Sequence, residues 1–320
     1  MPLFSGVKSF WVIQNNEPVI RSVKKLNARG SARSISTFDF STLYTKIPHN
    51  KLIFVLNNLI DFCFKGGTNK YVALSSSGAH WRNEPSDDYI CYNKEKVKSA
   101  VKYLIDNCYF TLGGKLYRQS IGIPMGSDPA PFMANLFLYY YENQWIRNLK
   151  KTDLKRARLF CNTFRFIDDL IAINDQDEFE RNFLDIYPPE LQLKKESTDH
   201  QHASFLDLDI SIDQTQFKLQ LFDKRDSFPF SIVRMPYCCS NMPSSIFYSS
   251  VGAEILRIGR STTTLNNFKN TESKLLLRMS KQGTQKHKLE RLLIKTYNRH
   301  TSHFLSFANN SSSFVHLLLD

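Results

Sequence analysis

Apolar and polar positions alternate with two periods along this chain, and the changes of period mark out its elements. Residues 6–29 carry Phe10, Val12, Ile13, Val19, Ile20, Val23 and Leu26 roughly at helical spacing, with Arg29-Gly30 as a stop. Residues 34–40 then read as a strand with an acid, Asp39, near its end. Pro48 and Asn50 open a helix through Leu52, Ile53, Leu56, Leu59, Ile60 and Cys63, which Gly66-Gly67 closes. The polar stretch 68–92 reads as a loop-rich excursion. Asn93 then caps a helix over 94–107 with Val97, Val101, Leu104 and Ile105 inward. Residues 109–118 form a hairpin about Gly113-Gly114.

Gln119–Ser127 follows as a stiff loop rich in Gly and Pro, where another molecule can approach the backbone closely. Asp128 and Pro129 then start a helix bearing Phe132, Met133, Leu136, Phe137, Tyr140 and Trp145. In Phe164–Ile173, β-prone residues flank Asp168-Asp169, so two short strands meet at a turn carrying two carboxylates. An Asp pair alone is ordinary turn chemistry, yet it is also a chelating point for a hard cation. Past Tyr187-Pro188-Pro189, residues 191–196 read as a strand. Residues 204–212 and 216–221 read as an antiparallel hairpin with one apolar face. After Pro243 the pattern is helical, through 251–260, 273–280 and 288–300.

Composition narrows the class of partner. The formal charge is +12 over 320 residues, which favours a polyanion, nucleic acid above all. Residues 251–320 hold eleven Lys and Arg against four acids, a net +7 on this helical tail. The six cysteines form no C-x-x-C pair, so they read as free thiols in a reducing compartment. The first residues lack the pattern of a signal peptide, and no apolar run approaches the roughly 20 residues that span a bilayer. An intracellular protein that does not engage membranes is expected.

Four segments, taken in order, resemble reverse transcriptases of retroelements. They are Phe38–His49, Gly122–Ser127 with Ala134–Phe137, Phe166–Asp169, and Ser204–Leu208. Their wording is most similar to the Penelope-like elements, whose polymerases are related to telomerase. The resemblance implies an α+β right-hand polymerase with an antiparallel palm sheet, a partial fingers insertion around 64–120 and a helical thumb. Residues 1–222 would form the incomplete fingers and palm, and 223–320 the basic thumb-like domain. The implied activity is RNA-directed DNA synthesis in the nucleus, from an RNA template, a DNA primer and dNTPs. Two Mg2+ ions, or Mn2+, would be clamped by Asp39, Asp168 and Asp169, since nucleotidyl transfer needs both the attacking and leaving oxygens neutralised.

The same resemblance implies further roles. The carbonyl of Phe40 is an extra metal ligand, and Tyr44 is an aromatic gate that excludes a ribose 2′-hydroxyl. Gly122, Pro124, Met125 and Gly126 pack against the incoming nucleotide, beside Phe166. Met125 stands where retroviral relatives carry glutamine, which removes one polar contact. Lys194 or Lys195 lies near the triphosphate as a general acid. Phe205, Leu206 and Asp207 grip the primer end, and Arg257, Arg260, Lys281 and Arg291 hold the nucleic-acid backbone. An upstream arginine-bearing fingers strand and a C-terminal GIY-YIG endonuclease have no counterpart here, which reads as a fragment of a longer protein or a shortened copy. The alternatives are a catalytically inactive nucleic-acid-binding remnant and an RNA-templated RNA polymerase, the latter disfavoured by Tyr44.

Overall fold

The computed structural model describes residues 11–64, 69–123, 125–230, 232, 233, 235 and 237–319. The expected helix over 6–29 is shorter, α1 (Glu17–Asn27). Residues 11–13 are extended instead: Ile13 N donates to the Arg165 carbonyl at 2.9 Å, and Arg165 N donates to that of Trp11 at 2.7 Å. Val12 and Ile13 are β-branched, and Pro18 in the first turn of α1 prevents the helix from running back through them. The expected Gly66-Gly67 helix stop lies outside the described residues.

Contacts divide the chain into two compact units, one of residues 11–15 with 36–196, the other of 16–35 with 197–319. The first is built on a four-stranded sheet of β1 (Ile35–Phe40) with three strands that come later in the chain. After β1 come the short turn of helix α2 (Leu43–Lys46) and α3 (His49–Cys63). The stretch read as a loop-rich excursion is a three-stranded antiparallel sheet of β2 (Tyr71–Ser75), β3 (Gly78–Arg82) and β4 (Ile90–Asn93), in the order β3-β2-β4. Its strands bury little, so they lack the alternation that betrays a strand in sequence. The helix α4 (Lys94–Asp106) starts where Asn93 Oδ1 accepts from Lys96 N at 2.9 Å, as expected. Of its expected inward residues only Ile105 is buried, and Leu104 is exposed.

The hairpin β5 (Tyr109–Leu112) and β6 (Lys115–Arg118) is exposed at all its positions. Next comes α5 (Ala130–Thr152), 23 residues long. Its start differs from expectation: Ala130 N donates to the Ser127 carbonyl at 3.0 Å, and no side chain caps it. Beyond α6 (Leu154–Leu159), β7 (Thr163–Phe166) and β8 (Asp169–Ile173) make the expected acid-tipped hairpin. After α7 (Glu178–Ile186), β9 (Leu193–Lys195) closes the sheet in the order β7-β8-β1-β9. The core beneath it joins Phe38 and Phe40 to Leu52, Leu56, Phe137, Leu138, Leu170, Ala172 and Phe179.

The second unit holds α1 and a three-stranded antiparallel sheet, β10 (His202–Phe205), β11 (Leu208–Asp213) and β12 (Gln216–Leu221). The continuous strand read over 204–212 is broken by a tight turn at Leu206-Asp207, where Leu206 takes φ 55°. Helices α8 (Ser244–Ser261), α9 (Leu265–Lys281), α10 (Lys286–Arg299) and α11 (Ser311–Leu319) complete it. The first three are longer than the sequence pattern suggested, and α11 was not anticipated. This sheet groups with the helices, so the compact units do not divide after residue 222. The cause is β12, whose backbone is satisfied by neighbours within the unit. The Asn27 side chain accepts from Phe217 N at 2.7 Å and donates to its carbonyl at 2.8 Å, while Thr263 accepts from Leu219 N through its hydroxyl at 2.9 Å and donates its main-chain N–H to the Leu219 carbonyl at 3.1 Å.

Candidate functional site

Asp39 is the one position of β1 that is not fully buried, and it stands opposite Lys194 of β9 in an antiparallel register. Directly opposed residues share a face, so Lys194 and Asp39 lie on the same side of the sheet. Lys195 points the other way along the pleat and pairs with Glu180 at 2.6 Å. Of the two lysines, Lys194 is the one beside Asp39.

The β7–β8 turn brings the second acid in. Phe166 pairs with Asp169, leaving Ile167 and Asp168 as a two-residue loop, and Phe40 N donates to the Asp168 carbonyl at 3.2 Å. Ile167 sits at φ 54°, a strained setting for a β-branched residue. Burial first, then the charges of Asp168 and Glu196, raise the Asp39 carboxyl above its ordinary range, while Lys194 opposes them. A partly desolvated carboxylate with a second carboxylate in its field suits a hard divalent cation. Asp169 is half-buried at the start of β8 and has partners of its own. Among the described residues, no three His, Cys, Asp or Glu side chains form a ready metal cage.

Tyr44 joins this pair from α2. Its hydroxyl is held above its usual range by burial and then by the charge of Asp168, which puts it in that acid's field. The loop expected to receive the nucleotide is bolted onto the same segment. Gly122 N donates to the Ile47 carbonyl at 2.8 Å and Ile123 N to that of Tyr44 at 2.7 Å. His49 Nε2 lies 2.8 Å from the Gly122 carbonyl. Gly122 has φ +84°, and a β-carbon there would come within 2.3 Å of the Tyr44 carbonyl oxygen. Only glycine fits. Pro124 lies outside the described residues, Met125 is exposed, and Gly126 has φ +93° in open space. Phe166 is half-buried and Phe40 packs edge-on against Tyr187 in the core.

The other expected residues lie in the second unit. Phe205 is buried, Leu206 half-buried, and Asp207 accepts from Asn16 and, at 3.1 Å, from Arg257. Arg257 also spans both oxygens of Glu254, at 3.1 and 2.7 Å, which makes it an internal ion-pair partner. Arg260, Lys281 and Arg291 are exposed, and Lys288, Lys295 and Arg299 share one stripe of α10 with Arg291. Burial, and then the charge of Arg260, lower the pKa of His303.

Sequence reasoning passed over Arg165. It is fully buried in β7, and its guanidinium takes both oxygens of Glu142. An arginine within an apolar strand, and Asn135 and Glu142 two turns apart on the apolar helix, were the signals.

No protein-family model matches the chain, and no curated protein sequence matches it. A solved structure of telomerase from Candida albicans, in complex with a fragment of telomeric RNA, does superimpose. It has a TM-score of 0.64 at 13% identity, over 98% of this chain. In fold, the chain is similar to telomerase. It spans 52% of that telomerase chain, about half. An apo telomerase from Candida tropicalis gives a TM-score of 0.49 at 11% identity, over 99% of this chain and 52% of that one. The likeness extends to mixed α and β elements with antiparallel sheets. No helix among the described residues is long and apolar enough to cross a membrane.

Proposed function

We propose that the chain is an RNA-directed DNA polymerase of right-hand architecture, of the Penelope-like retroelement kind. The four-stranded sheet would be its palm, residues 64–120 a partial fingers insertion, and the helices after about 223 its thumb. The observation that carries this reading is the meeting of Asp39, Asp168, Tyr44 and the Gly122 loop around one end of one sheet. Mg2+, as two ions, or Mn2+ would be held by Asp39, Asp168 and Asp169 with the Phe40 carbonyl. It would neutralise charge on the attacking 3′-hydroxyl and the leaving pyrophosphate.

The residues of the chain do the rest. Asp39 must be ionised to work, and Lys194, on its face, favours that ionised form. Lys194 is also the nearest candidate donor of a proton to the departing pyrophosphate. Tyr44, held against the acids, sets a floor under the sugar that leaves no room for a 2′-hydroxyl. The Gly122 loop offers bare backbone to the nascent base pair, and Met125 an apolar tip. The Phe205–Asp207 turn would grip the primer end, and Arg260, Lys281 and Arg291 the duplex backbone. An RNA template, a DNA primer and dNTPs are the proposed partners, in a nuclear setting.

Primer extension on matched RNA and DNA templates, with dNTPs or NTPs, tests this. Extension on RNA by dNTPs that vanishes in Asp168→Asn is the expected result. Tight duplex binding with no extension would support a nucleic-acid-binding remnant instead, and preference for NTPs an RNA polymerase.

A further inference from the structure

We infer that Arg165 is a positioning residue for Asp168, held to that role by Glu142, Asn135 and Tyr187. Its consequence for turnover rests on the polymerase reading above; its geometry does not.

A guanidinium cannot shed its proton, so one buried to 0% exposure must have its donors met. Here five bonds meet five N–H donors. Nε gives to Glu142 Oε1 at 2.5 Å and NH2 to Oε2 at 3.1 Å, a bidentate clasp. NH1 gives to Asn135 Oδ1 at 2.7 Å and to the Ile167 carbonyl at 2.8 Å, and NH2 to the Asn135 carbonyl at 3.3 Å. Glu142 Oε1 is further fixed by the Tyr187 hydroxyl at 2.8 Å.

The bond to Ile167 is the telling one. Packing the core does not require it, yet it fixes the peptide plane that leads into Asp168, at the residue strained to φ 54°. The carbonyl on the other side of Asp168 is fixed by Phe40 N at 3.2 Å. Asp168 is therefore held from both of its peptide planes, once by β1 and once by Arg165. Through Asn135 and Glu142 the clasp also ties that turn to α5, the helix that follows the Gly122 loop. The acid and the helix behind the nucleotide loop cannot shift independently.

The test replaces the network without stranding a charge. Glu142→Leu, Arg165→Met and Tyr187→Phe together exchange the buried pair and its hydroxyl for apolar groups, a change that folds often survive. Melting temperature, Mn2+ affinity by paramagnetic resonance, and kcat and KM for single-nucleotide addition are compared with the unaltered chain. The expected result is a melting temperature close to the original, kcat lower by about 100-fold with KM nearly unchanged, and Mn2+ bound about tenfold more weakly. A folded triple variant with unaltered kcat and Mn2+ affinity would overturn the inference, and the clasp would be a fold element only.

Should the triple variant not fold, Arg165→Lys carries the test. It keeps the charge but cannot span Glu142, Asn135 and Ile167 at once, so the same losses are expected and their absence again overturns the inference. If the unaltered chain adds no nucleotide on any template, the polymerase reading fails separately. Mn2+ affinity then still decides, with Asp168→Asn as the control that abolishes the site. An unaltered chain that binds no Mn2+ overturns the inference outright.

Discussion

Gly122→Ala isolates the coupling between the Gly122 loop and Tyr44. Two effects add. The residue sits at φ +84°, where an L side chain costs about 1–2 kcal/mol. Its new methyl would also lie 2.3 Å from the Tyr44 carbonyl oxygen and 3.1 Å from Thr45 Cα, backbone atoms that cannot swing aside. Overpacking of that sort costs about 1–3 kcal/mol. A cavity of about 190 Å³ borders Gly122, His49 and Met133, so the loop can yield partly, and the total falls near the lower end of the sum. A loss of about 2 kcal/mol, if spent on loop placement, lowers dNTP kcat/KM about 30-fold. Urea denaturation and single-nucleotide addition measure the two shares. Gly126→Ala is the control, because it has φ +93° but open space, so only the backbone share should appear. Should Gly122→Ala match Gly126→Ala in both assays, the close approach to Tyr44 does not matter and the reasoning is refuted.

Four further outcomes are expected. Tyr44→Val should raise ribonucleotide incorporation relative to deoxynucleotide, while Tyr140→Val should not; an unmoved ratio assigns Tyr44 to packing. Burial, then Asp168 and Glu196, raise the Asp39 carboxyl, so in the metal-free chain it should titrate above the ordinary carboxylate range, as read by carboxyl NMR against pH. Glu196→Gln should move that midpoint to lower pH and Lys194→Met to higher pH, and a metal-free titration that ignores both would contradict the arrangement. Neutralising Lys281, Lys288 and Arg291 should flatten the salt dependence of duplex affinity by roughly 0.9 per lost phosphate contact, alike for all sequences. Arg257 should behave otherwise, losing stability through Asp207 and Glu254. Glu272 is buried with neither oxygen hydrogen-bonded, and burial and then Glu254 push its pKa well above 4.5. It is protonated when folded and ionised when unfolded, so stability should decline as pH rises above about 4.5, and Glu272→Gln should remove that slope.

The acid-tipped hairpin and the glycine loop were legible because each is written in contiguous residues. Phe164–Ile173 alternates about its turn, and the loop's glycines have no substitute at their angles. What stayed hidden depends on residues far apart in sequence. The sheet of β2–β4 buries too little to alternate. The break at Leu206-Asp207 is masked because Leu206, an apolar residue, takes a left-handed angle that usually signals glycine. A comparison within the chain could have found it: Phe166-Ile167-Asp168 and Phe205-Leu206-Asp207 share one pattern, and both prove to be hairpin tips. Counting charges on 251–320 likewise could not separate Arg257, bound to two carboxylates, from Arg291, which faces water.

Local cost, taken alone, does not identify a working site. Glu272 is buried with neither oxygen hydrogen-bonded, and beside it, among the described residues, stands only the ion-paired Glu254 that raises it further. The end of β1 differs because several unrelated costs meet there. Asp39 is desolvated beside a like charge, Ile167 is forced into a left-handed angle, Gly122 admits no side chain, and Arg165 is buried with its charge. Three of these could be relieved by an ordinary substitution that would leave the fold intact or firmer: asparagine at 39, glycine at 167, an apolar set at 142, 165 and 187. Their neighbours hold them in place instead. The Phe40 and Arg165 bonds pin the turn, and the Ile47 and Tyr44 carbonyls pin the loop. A core selected for stability alone would not gather such elements around one pair of carboxylates, whereas the proposed site, which would present two acids and bare backbone to a charged ligand, gives a reason for all of them.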